Sequence, residues 1–174
     1  MKFIVEGIDA AGKTTLIEKV LHKYKLSNTY HSTNKTANDL AYHLNMLNLN
    51  ESCALDRFHF GEGIVYPTLY NRIGKLSIDD FKKINAKIVE DKDILVCMVC
   101  SDLSIINKRL IERGELNYLN EMPGQNTLFM KAAQLFREQF PDYENFYLID
   151  VAQPNAYEKL DNWIDERFNK EGIR

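Results

Sequence analysis

Residues 7 to 14, Gly-Ile-Asp-Ala-Ala-Gly-Lys-Thr, satisfy G-x-x-x-x-G-K-[ST] at every fixed position. The pattern lies between a short β-rich run and an amphipathic segment, the strand–loop–helix context in which such a loop cradles phosphate. Gly7 and Gly12 allow the backbone N–H groups around Ala10 and Ala11 to wrap the β- and γ-phosphates at the positive end of the following helix. Lys13 would bridge those phosphates, and the Thr14 hydroxyl would sit on a Mg²⁺ ion accompanying ATP. Asp9 is an electrostatic misfit, a carboxylate inside a loop built for anions; the bland alternative is a solvated loop tip.

A second set of candidates follows Asp56-Arg57. Arg57, at the C-terminal edge of a parallel strand, would lie beside the phosphate loop, where its planar fork suits a second phosphate. Asp56 would hold Mg²⁺ through water or orient Lys13, or the two residues merely form an ion pair closing the strand. Phe58, His59, Phe60, Glu62 and Tyr66 then crowd together. Either an aromatic face stacks on a base while His59 or Glu62 reads its edge or sugar, or Phe60 and Ile64 are core and His59 is a solvated turn residue. Arg72 is a further phosphate ligand or a surface residue. Residues 107–124 have the character of a lid: Lys108, Arg109 and Arg113 put positive charge on a helix end that can cover the phosphates, although basic residues there also complement the helix dipole.

These residues need a scaffold. The hydrophobic pattern predicts strands over 2–6, 28–32, 52–56, 93–100 and 146–150. It predicts helices over 13–25, 36–48, 60–72, 77–91, 103–113, 126–139 and 155–169, with a break at Gly74 and an N-cap at Asp102. Strands alternating with helices imply a single α/β domain, residues 1–174, with a five-stranded parallel sheet covered on both faces. The composition agrees: 174 residues, 45% hydrophobic, 27% charged, with a net charge of −3. The balance excludes disordered and collagen-like classes and argues against a protein that coats nucleic acid. The longest apolar run, seven residues from Ile94 to Cys100, is too short to span a membrane. Three cysteines make no disulfide framework and point to a reducing, cytoplasmic setting. Cys97 and Cys100 lie three apart on one strand and so face opposite ways, which argues against a redox or zinc pair.

The segment from Val5 to Thr15 resembles the opening of thymidylate kinases, and three later motifs extend the resemblance along most of the chain. Leu55-Asp56-Arg57-Phe58 is similar to the Asp-Arg-aromatic motif closing that family's third strand. Arg113-Gly114-Glu115-Leu116 occupies the place of its arginine-bearing lid. The run Leu148-Ile149-Asp150-Val151-Ala152-Gln153-Pro154 looks like its last strand and adenine-side loop. The resemblance implies a P-loop nucleoside monophosphate kinase fold with a mobile lid, MgATP as phosphoryl donor and a deoxynucleoside monophosphate as acceptor. It implies Asp9 on the acceptor's 3′-hydroxyl, Thr15, Gln153 and Pro154 on ATP, and a lid arginine acting where Ala10 leaves the loop without one. It also implies a homodimer.

Three motifs depart from the family pattern. No Arg-Glu-Pro-Gly-like loop follows the second strand, which reads Tyr30-His31-Ser32-Thr33-Asn34-Lys35. The family's serine and Tyr-Gln become Gly61-Glu62 and Tyr66-Pro67, and its lid Asp-Arg becomes Asn117-Tyr118. The departures concern the acceptor and the lid, so thymidylate is the default acceptor and other or modified pyrimidine deoxynucleotides stay open. The compact length is similar to that of shortened, often viral, members. Two rivals remain. A deoxynucleoside kinase would need a carboxylate near the end of the second strand to deprotonate a 5′-hydroxyl, and Asp39 is the first acid there. A non-catalytic ATP-binding module would show no acceptor-specific turnover.

Overall fold

The computed structural model of the chain describes residues 1–32, 39–72, 76–170 and 172. Its centre is a five-stranded, wholly parallel sheet in the order β2-β3-β1-β4-β5. The strands are β1 (Lys2–Gly7), β2 (Thr29–His31), β3 (Cys53–Asp56), β4 (Ile94–Val99) and β5 (Phe146–Asp150). Every residue of β1 and β4 is buried, as expected of strands covered on both faces. The helices are α1 (Lys13–Tyr24), α2 (Leu40–Leu47), α3 (Tyr66–Tyr70), α4 (Ile78–Glu90), α5 (Leu103–Glu112), α6 (Met122–Gln139) and α7 (Ala156–Lys170).

Alternation along β1 assigns the layers. Phe3 meets Phe168 of α7, and that ring stacks on Tyr24 of α1 at 3.9 Å between centroids, so α1 and α7 share one face. Glu6 points the other way, toward the segment after β3, and α6 packs behind it with α4. Asp102 caps α5 as expected, its Oδ1 accepting from the Ser104 amide at 3.0 Å. Cys97 and Cys100 are free, buried thiols with separate neighbours, the Phe129 and Asp102 carbonyls. Among the described residues no helix is long and apolar enough to cross a membrane, and no cluster of three metal-binding side chains occurs.

The local departures fall around the site. The expected helix over 60–72 is a π-helical turn, Gly61–Val65, continued by the short α3. The polar stretch before the expected helix at 126 is a 3₁₀ turn, Leu116–Glu121, and α6 starts at Met122 with Pro123 in its first turn, where proline costs no hydrogen bond. The predicted second helix begins later, at Leu40; its expected first residues, and Gly74, lie outside the described residues.

Candidate active site

The sheet order places the C-terminal ends of β1, β3 and β4 side by side, beneath the loop of residues 8–12. Gly7 has φ 132°, and a Cβ there would collide with the Met98 backbone oxygen and lie 2.7 Å from its nitrogen. Only glycine lets β1 turn so close to β4. Gly12 opens α1 in the left-handed region at φ 86°, and Ala10 takes the same region at φ 58°. The Lys13 ammonium folds back under the loop, donating to the Gly7 and Ile8 carbonyls at 2.8 and 2.7 Å. Burial depresses its pKa to about 8, with Arg57 also lowering it and Asp9, Asp56 and Glu6 opposing.

Outside the loop a cleft of about 500 Å³ is lined by Ala10, Gly12, Thr15, Lys19, Arg109 and Tyr157, among others. Arg109 donates to the Ala10 carbonyl at 3.1 Å and to the Tyr157 hydroxyl at 3.0 Å, and that hydroxyl donates to the Ala11 carbonyl at 3.0 Å. Nothing in the sequence around Tyr157 marks it as the side chain that ties α7 to the loop. Gln153 and Pro154, expected on this side, do not line the cleft. Both are exposed, and the Gln153 amide instead donates to Asp150. Thr14 is exposed at the first turn of α1.

On the other side of Asp9 and Ala10 lies a second cleft of about 300 Å³, lined by Asp9, Arg57, Glu62, Tyr66, Tyr70, Arg72, Arg113, Glu115 and Tyr118. Its three guanidiniums each face a carboxylate. Arg57 donates to Asp9 at 2.6 Å, Arg72 lies 3.9 Å from Glu62, and Arg113 makes a two-pronged contact with Glu115 at 2.7 and 3.0 Å. Arg57 also stands over the Tyr66 ring, and Arg72 over that of Tyr70. Arg57 is held in the left-handed region, φ 57°, where its amide donates to the Val5 carbonyl. Arg113 lines both clefts.

Asp9 is the most constrained group here. Gln125, fully buried, donates to its Oδ2 at 3.0 Å and accepts from its backbone amide; Tyr66 reaches Oδ1 at 3.4 Å. Burial pushes the Asp9 pKa up, but the charges of Lys13 and Arg57 and the Gln125 and Tyr66 hydrogen bonds outweigh it and hold it below the usual range. No sequence signal marks Gln125, which lies in the first turn of α6, far along the chain and within the polar stretch before residue 126.

Phe58 and His59 are corrections. Both are fully buried and line neither cleft. The chain turns inward after Arg57, so these rings enter the core beside His43 and Phe81 instead of facing a base. His59 Nε2 lies 2.8 Å from Asn85 Oδ1, and burial drives its pKa down to about 3, so it is neutral. Phe60 is core, as the plainer reading had it. Asp56 does not touch Lys13. Its Oδ2 lies 2.9 Å from His31 Nδ1, while Oδ1 is buried with no hydrogen-bond partner among the described residues. Lys108 is exposed.

No family model matches the chain, and no curated protein matches it by sequence. Solved structures do. The YorR protein of Bacillus subtilis, in complex with phosphorylated GDP, superposes with TM-score 0.70 at 21% identity, covering 100% of this chain and 99% of that one. The deoxyadenosine kinase of M. mycoides with bound dCTP does so with TM-score 0.53 at 17% identity, covering 95% and 100%. The chain shares the α/β fold of these two structures, one of them a kinase. At these identities the likeness speaks for the architecture, and the chemistry rests on the side chains.

Proposed function

We propose that the protein transfers the γ-phosphoryl group of MgATP to a deoxynucleoside 5′-monophosphate, dTMP or a related pyrimidine deoxynucleotide. The observation that carries this reading is the second cleft, where Arg57, Arg72 and Arg113 converge across Asp9 and Ala10 from the first cleft. Three guanidiniums that would exchange their present carboxylate partners for phosphate oxygens suit a dianionic acceptor. A phosphate monoester has its second pKa near 6, so at neutral pH it attacks without a strong base, and the difficulty is holding two polyanions together. Lys13 and the loop amides hold the donor, Arg57 and Arg72 the acceptor, and Arg113 the charge that builds between them. The bound nucleotides of the two similar structures, phosphorylated GDP and dCTP, are in keeping with nucleotide binding at this fold. The preference for a deoxypyrimidine rests on the thymidylate kinase resemblance and on the small, tyrosine-lined second cleft.

Magnesium would supply charge neutralisation of the transferring phosphates. The side chains fit it: Asp56 has a buried oxygen with no hydrogen-bond partner among the described residues, and Thr14 lies in the first turn of the helix at the loop. Two protein ligands suffice for an ion that arrives on nucleotide phosphates and keeps its waters.

One observation favours a second reading, a nucleoside kinase. The carboxylate missing from the end of β2 is supplied from elsewhere, since Asp9 faces the acceptor cleft beside Arg57. Its lowered pKa makes it a poor base for a 5′-hydroxyl. Assaying purified protein with MgATP against each common nucleoside and nucleoside monophosphate separates the readings. Turnover of a deoxynucleoside monophosphate is expected, and turnover of nucleosides alone would reject the proposal. Arg57→Ala should raise the acceptor KM far more than the ATP KM; equal losses would contradict its role.

A further inference from the structure

Glu6 is the one carboxylate on β1, fully buried one residue before the phosphate loop begins. No mechanism above uses it. Its two oxygens accept from consecutive backbone amides, Phe60 at 2.7 Å and Gly61 at 3.1 Å. These N–H groups open the π-helical turn, in which the Glu62 amide donates to the Phe58 carbonyl and the Ile64 and Val65 amides share the Phe60 carbonyl. The turn and α3 carry Glu62, Tyr66 and Tyr70, one wall of the acceptor cleft. At the far end Tyr66 returns to the loop, its hydroxyl on Asp9 and its ring beneath Arg57. Gly61 sits between the two anchors: a Cβ there would lie 3.1 Å from Glu6 Oε2 and 3.2 Å from Tyr66 Cε2. A π turn carries one residue more per hydrogen-bonded ring than an α-helix, so its placement depends on what fixes its first amides.

We propose that Glu6 is a positioning residue for the acceptor: by gripping the Phe60 and Gly61 amides it sets the distance between the phosphate loop and the Tyr66 wall. The carboxyl group can accept at both oxygens with no water to compete, so its grip on the adjacent amides is stronger than the same bonds would be in solvent. The assignment rests on the second cleft being the acceptor site. It predicts an asymmetry: loss of the grip moves the acceptor wall and leaves the donor cleft on the other side of the loop intact.

Glu6→Gln tests it, because the isosteric amide must turn an NH₂ toward one of two N–H donors. The expected result is an acceptor KM raised by about tenfold with the ATP KM within about twofold. Amide hydrogen exchange should quicken in residues 58–66 and stay unchanged in β4. Gly61→Ala approaches the same contact from the other side, without touching Glu6, and should reproduce the acceptor-selective loss. Should Glu6→Gln lower the melting temperature while shifting both KM values equally, or leave exchange at 58–66 as in the wild type, Glu6 is only a core residue and the proposal is overturned. Failure of the acceptor-site reading looks different: the wild-type protein itself would then use no monophosphate. In that event the split is read from ADP and thymidine binding by calorimetry, where equal losses overturn the proposal and a thymidine-selective loss supports it.

Discussion

Burial lifts the Glu6 pKa from 4.5 to about 8, with the Phe60, Phe58 and Gly61 backbone and the Lys13 charge only partly offsetting it. Between those values the unfolded chain has released a proton that the folded protein keeps, so this group's contribution is most favourable at low pH and declines as pH rises toward 8. Each pKa unit is worth about 1.4 kcal/mol, so a few kcal/mol are at stake. Melting temperatures measured from pH 5 to 8 should therefore fall less steeply for Glu6→Gln than for wild type; parallel curves would contradict the assignment. Lys13 has the opposite sign. Its pKa falls from 10.5 to about 8, so above pH 8 the free protein has lost a proton that bound phosphates would restore. Calorimetry of ATP binding at pH 9 in buffers of different ionisation enthalpy should register proton uptake, absent in Lys13→Met.

The elements differ in how openly the sequence declares them. β1 and β4 are continuous apolar runs, and α1 repeats Leu16, Ile17, Val20 and Tyr24 on one face, so their existence follows from periodicity alone. The loop of residues 8–12 between β1 and α1 was equally legible, because its pattern fixes residue types at fixed spacing. The second cleft was not. A π turn has no periodicity distinct from a helix, and the left-handed Arg57 that sends Phe58 and His59 inward is set by long-range contacts of the Asp9–Arg57 kind. One legible sign was the acid among the buried residues of β1, which must find buried donors. Glycines provide a test at this scale. Gly7→Ala places a methyl group against the backbone of β4 and should cost more than about 3 kcal/mol or prevent folding. Gly114, at φ 73° with no atom within 4 Å of a built Cβ, should cost only about 1 kcal/mol on replacement by alanine, from backbone strain alone. Urea denaturation distinguishes the two, and equal costs would mean that the contact between β1 and β4 is looser than described.

Across the whole molecule, placing β1 between β3 and β4 puts one loop at the junction of two clefts, so donor and acceptor would meet end to end over the same amides. Only a group that reaches both clefts can follow charge from one nucleotide to the other, and Arg113, just past α5, is placed to do so. Its present partner, Glu115, is partly exposed, as is the arginine itself, and an ion pair in such a setting is worth at most about 1 kcal/mol. Bound phosphates would therefore draw Arg113 away at little cost. An arginine that acts mainly on transferred charge contributes to the chemical step more than to binding either substrate. Arg113→Ala should accordingly lower kcat by about 10³-fold while leaving both KM values within a few-fold, and Glu115→Gln, which only releases the arginine, should leave kcat within about threefold. Steady-state kinetics with single-turnover quench on both variants reads the difference directly. A rise confined to the ATP KM in Arg113→Ala would make this residue a donor ligand, and the transferring charge would then have to be met by Lys13 and Arg57 alone.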